Sequence, residues 1–92
     1  MDPILVEHNP SPMKLDVIGV YDWPIWSKEP STFPWTYDQK ETCYLLEGEA
    51  VVTPDGGEPV TIVEGDLVMF PAGMSCIWEI RQTVAKHYRF GR

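Results

Sequence analysis

Residues 65–73 read GDLVMFPAG, and no other stretch restricts the fold of this chain so tightly. A Gly-Asp pair opens it, four apolar residues follow, and Pro71, Ala72 and Gly73 close it. That order is turn, buried strand, turn. The same punctuation runs through the whole chain. Nine Pro and seven Gly in 92 residues leave no room for long helices and favour many short strands.

Taken in order, residues 1–13 form an N-terminal arm with one short strand over 4–7, and residues 14–92 form a single domain. The weak alternation of Leu15, Val17 and Gly19 predicts a strand over 15–20. Pro24, Pro30 and Pro34 make the next segment an irregular edge. Trp23 and Trp26 read there as an aromatic flap over an open side of the fold. Residues 33–37 are a short aromatic run. Over 41–46, Glu41, Cys43 and Leu45 share one face, and Thr42, Tyr44 and Leu46 the other. Strands over 50–53 and 60–63 flank an Asp-Gly hairpin turn. Strands over 67–70, 74–80 and 84–90 complete the chain. Turns spaced 8–12 residues apart predict an all-β barrel or sandwich, with no helix of useful length.

Size and charge narrow the function classes. A chain this short buries about 60–65% of its unfolded surface, so its core is small. Four Trp, four Tyr and three Phe compensate, because each aromatic buries roughly 150–250 Å². The net charge is −7, from 14 acidic and seven basic residues. No run of Lys or Arg is present to neutralise phosphates, so nucleic acid is not an expected partner. No apolar stretch reaches the ~18 residues of a membrane span. The acidic start lacks the basic region of a secretory signal. Cys43 and Cys76 do not make a disulfide framework, which fits a cytoplasmic chain with reduced thiols.

ETCYLLEG at 41–48, followed by GDLVMFPAGMSC at 65–76, has the order and spacing of the two cupin motifs. WPIW at 23–26, the C-x-W at 76–78 and KHY at 86–88 make the chain resemble the single-domain, ureidoglycine-aminohydrolase-like (RmlC-like) branch of that family. The resemblance implies a double-stranded β-helix, or jelly-roll, barrel. It also implies a metal held by three His and one Glu. Carried over position by position, the His sites fall on Trp35, Tyr37 and Cys76, and Glu41 alone is retained. Indole has no lone pair to give. A phenol with a pKa of about 10 costs roughly 4 kcal/mol to ionise at pH 7. The expectation is therefore no metal, with a Zn or Cu(I) site at Glu41, Cys43 and Cys76 as the less favoured case. The ordinary alternative is that both cysteines are small buried hydrophobes.

The mouth of a small barrel is a ready pocket. By register its lining should include Trp35, Tyr37, Glu41, Cys43, Cys76, Trp78, Lys86 and Tyr88. Glu41, with Tyr37 or Lys86 as partner, is the candidate acid–base group. The aromatic walls suit a small polar metabolite, sugar-like or amide-like. Three readings stay open: a metal-independent enzyme, a non-catalytic binding module, and a structural role in which Glu41 merely satisfies a buried network. His8 and His87 read as isolated surface or capping residues. An aromatic patch of Trp23, Trp26 and Phe33 would support a homodimer, unless it folds back on its own barrel.

Overall fold

The computed structural model describes residues 2–91. Among them, seven strands form one antiparallel sheet that rolls on itself. They are β1 (Leu5–His8), β2 (Ile25–Lys28), β3 (Ser31–Thr36), β4 (Glu41–Pro54), β5 (Val60–Val63), β6 (Asp66–Phe70) and β7 (Ser75–Phe90). Two long strands, β4 and β7, pair along almost their full length and belong to both halves of the roll. One half runs β1-β6-β4-β7-β2, and the other adds β5 beside β4 and β3 beside β7. Residues 41–46 and 50–53 are thus parts of one strand, as are 75–80 and 84–90.

The stretches 47–49 and 81–83, which the sequence leaves between separate strands, lie within β4 and β7. Register shifts between Leu45 and Ala50 mark irregular pairing, which bends a strand and increases its twist. Gly48 sits at that bend with φ +97°, and a Cβ there would lie 2.2 Å from the Thr83 carbonyl oxygen. Glycine satisfies both the backbone conformation and the close approach.

Residues 15–20 correct the reading. Residues Pro12–Ile18 form a short helix, α1, and Val20–Asp22 a 3-10 turn, in place of a strand. The Ser11 hydroxyl accepts a hydrogen bond from the Lys14 amide, Pro12 occupies the first turn, and Gly19 caps the end in the left-handed region. Ser followed by Pro, with Gly seven residues later, is the start and stop signal of a helix. The three-residue spacing of Leu15 and Ile18, and not the two-residue spacing of Leu15 and Val17, tracks burial. Leu15 is 2% exposed and Val17 80%. Strand β1 is hydrogen-bonded to β6, with Leu5 opposite Met69 and His8 opposite Asp66. Prolines 24, 30 and 34 do not prevent pairing: β2 and β3 both lie along β7. Pro34 is tolerated because β3 has β7 as its single partner and needs no donor on its free side.

The main core fills the inside of the roll, around Leu45, Val52, Ile62, Val68, Phe70, Trp78 and Val84. A smaller cluster of Leu15, Val20 and Leu67 sits on the outer face, with Trp23 and Tyr44 packed against it. The two clusters follow from strand alternation. Inward residues of β4 and β6 fill the roll, and outward Tyr44 and Leu67 receive α1. Among the described residues, no helix is long and apolar enough to cross a membrane.

Candidate functional site

Glu41 begins β4 and points inward with Cys43 and Leu45, so an acid is carried into the core side of the sheet. Lys86 on β7 alternates with outward His87 and also turns inward. The two meet in a buried ion pair, with Lys86 Nζ donating to Glu41 Oε2 at 2.6 Å. Glu41 is 2% exposed and Lys86 6%. The ammonium also sits over two indole rings, 4.6 Å from the Trp78 centroid and 4.9 Å from that of Trp26. An ammonium in this setting is held by a carboxylate on one side and by ring quadrupoles on the others.

This pair forms the polar floor of a cup of about 240 Å³ at one end of the roll. Trp35, Tyr37, Trp78 and Tyr88 line it, with Trp26, Phe33 and Phe90. Trp35 is 46% and Phe90 43% exposed, so these two rings form the rim. Phe33 stacks on Trp78 with an interplanar angle of 9°, and Tyr37 stacks on Phe70 at 10°. Those contacts fix the walls. Burial, and next the Glu41 carboxylate beside it, hold the Tyr37 phenol far above its usual range, so it remains a proton-bearing donor.

Of the eight residues expected to line the pocket, six do so. Cys43 and Cys76 are not among the lining side chains. Cys43 is fully buried in the core, and Cys76 turns its thiol toward the Trp35 carbonyl at 3.6 Å. Burial pushes Cys43 up to about 12 and Cys76 up to about 11, so both stay as thiols near neutral pH. Trp26, Phe33 and Phe90 were absent from the expected lining. Phe90 was reachable by alternation from Lys86 and Tyr88; Trp26 and Phe33 required knowing that β2 and β3 both flank β7. The aromatic flap divides. Trp26 closes the cup, whereas Trp23 lies on the outer face under Arg89, whose guanidinium carbon is 4.7 Å from its ring. Trp23, Trp26 and Phe33 all pack on their own chain.

Neither histidine enters the cup. His87 is buried, not at the surface, and its Nδ1 bonds the Trp23 carbonyl at 2.9 Å. His8 pairs with the buried Asp66 carboxylate at 2.6 Å and ties β1 to β6.

The residues do not fit a metal centre. Glu41 is already neutralised by Lys86, and the indole of Trp35 has no donor lone pair. Among the described residues no three His, Cys, Asp or Glu side chains come together in a group able to hold an ion; Glu41, Cys43 and Cys76 are no exception.

Comparison with known proteins covers nearly all of this geometry. A DUF861-family protein from Thermotoga maritima is 46% identical, with a TM-score of 0.92 over 96% of this chain and 99% of that one. The Salmonella typhimurium protein assigned as ethanolamine utilization protein Q is 28% identical, with a TM-score of 0.67 over 73% of this chain. This chain spans 54% of that protein's length. EutQ of Clostridium difficile shares the fold at 22% identity and a TM-score of 0.67, again with 73% of this chain covered and 52% of that one. No curated protein matches the chain. The family model described as the EutQ-like cupin domain matches residues 16–88. With the rolled antiparallel sheet and the aromatic cup at its mouth, that match places this chain in the EutQ-like cupin family.

Proposed function

We propose that the cup binds a small polar metabolite, sugar-like or amide-like, with Glu41 and Lys86 as its polar anchor and the aromatic rings as its walls. The observation that carries this reading is the Glu41–Lys86 pair, buried at the floor of an otherwise aromatic cup. A buried ion pair is a poor stabilising device. Desolvating two charges often costs more than their attraction returns, and apolar residues of similar volume would serve the fold as well. The same pair is well suited to orient a ligand, because one carboxylate acceptor and one ammonium donor converge in a dry site. A volume of about 240 Å³ lies below the ~300–1,000 Å³ usual for drug-sized ligands, so the ligand is a small one.

Acid–base chemistry without a metal is the strongest form of this reading. Glu41 accepts a proton from the bound metabolite, and Tyr37 or Lys86 donates one to the group that leaves or becomes anionic. The test is a thermal-shift screen with small metabolites on wild type and on Glu41→Gln. Gln keeps an acceptor for Lys86, so the variant should fold. Its ligand-induced stabilisation should drop by about 1–3 kcal/mol, and any turnover should disappear. If the variant's melting temperature falls while its ligand response is unchanged, Glu41 serves the fold and this reading fails.

A further inference from the structure

Resting on the binding function above, we propose that the floor of the cup reads a neutral donor–acceptor group of the carboxamide kind, with Lys86 serving as the cup's own built-in cation. Three observations lead there. First, the charges on the floor cancel. Lys86 donates to Glu41 Oε2 at 2.6 Å, and both side chains are more than nine-tenths buried. An anionic ligand would meet the Glu41 carboxylate, and a cationic one would meet the Lys86 ammonium, each in a site with little water to screen the repulsion. A neutral group escapes both penalties.

Second, hydrogen-bonding capacity remains on each partner. An ionised carboxylate offers about four lone-pair positions, and Lys86 and the neighbouring Tyr37 hydroxyl together use only part of them on Glu41. Lys86 has N–H groups beyond the one on Oε2, and the residue lines the cup beside Trp26 and Trp78. A strong donor and a strong acceptor therefore stand next to each other. A carboxamide carries the complementary pair on adjacent atoms: its C=O accepts from Lys86, and its N–H donates to Glu41. A carboxylate only accepts and an ammonium only donates, so each matches one member and leaves the other unmet.

Third, the rest of the cup is flat and aromatic. The half-exposed Trp35 and Phe90 rims can stack on a ring whose amide points inward. Glu41 is engaged by a cation that the chain itself supplies, Lys86.

The experiment uses probes that share one ring and differ in head group: benzamide, benzoate, benzylammonium and toluene. Each is titrated into the wild-type protein, followed by the indole N–H resonances of Trp35 and Trp78. Benzamide should bind at least about tenfold more tightly than the other three, since each of them leaves a buried partner unmet. In Glu41→Gln the order should invert toward benzoate, and in Lys86→Gln toward benzylammonium. Where a variant does not fold, the wild-type order alone decides. Benzoate or toluene binding wild type as tightly as benzamide overturns the inference while leaving small-molecule binding intact. If no probe shifts either indole at millimolar concentration, the inference and the binding function fail together.

Discussion

Lys86 and Arg89 lie three residues apart on the same strand, and each places its cation against tryptophan. Yet their surroundings differ in almost every respect. Lys86 points into the roll, between Trp26 and Trp78, and is neutralised by a buried carboxylate. Arg89 points outward over Trp23, exposed to solvent, on the face that α1 covers. The outer cluster of Leu15, Val20 and Leu67 makes ordinary packing sense: a short amphipathic helix closes one apolar patch. The inner site does not, because it buries two charges where hydrocarbon would fill the space. The difference teaches where to look for function in a small roll. The outer cation–π contact is a property of the surface; the inner one is an arrangement whose stability cost calls for a use.

The comparison can be tested by how much each region contributes to stability. Lys86→Met should have the largest effect. It leaves Glu41 buried without its counter-charge and should cost about 3–5 kcal/mol by urea denaturation. A cost below 1 kcal/mol would mean that water reaches the floor freely, and the contrast between inside and outside would collapse. The alkaline limb comes next. Cys43 has its folded value raised to about 12 from an ordinary 9.0, with burial as the leading cause. Its protonated form is favoured in the folded state, so its contribution is fully present below pH 9 and is lost as pH rises toward 12. Stability should fall over that window by an amount on the order of a few kcal/mol, with Cys76 adding to it between 9 and about 11. Melting curves of Cys43→Ala should show a shallower alkaline slope than wild type; an identical slope would show that Cys43 is hydrated. Arg89→Ala should have the smallest effect, below about 1 kcal/mol, because an exposed cation–π contact is screened by water. If its loss rivals that of Lys86→Met, the outer face is as tightly organised as the cup.

How far the sequence could be read depends on which physical rule controls each segment. Alternation governs β4 and β7, so the sequence alone puts Glu41 with Cys43, and Lys86 with Tyr88, on shared faces. Over 15–20 the two-residue alternation of Leu15 and Val17 points to a strand, but the Ser11-Pro12 start and the Gly19 stop carry the stronger signal and make a helix of Pro12–Ile18. Splitting β4 at Gly48 had a different origin. Glycine reads locally as a turn, while its use here is to let β4 approach Thr83 of the neighbouring strand. The cup was legible as a set of inward aromatics, but not as a set with Trp26 and Phe33 in it. Their place depends on β2 and β3 lying side by side along β7, a pairing between distant segments that no local pattern encodes.

The amino-acid sequence by itself determined the all-β class and the inward faces of the long strands. Those follow from local backbone preference and two-residue periodicity. Only the tertiary structure decided that Lys86 reaches Glu41, that both thiols leave the cup, and that Trp23 and Trp26 part to opposite faces. Each of these depends on distances between residues far apart in the chain, and those distances are set by how the sheet bends and closes.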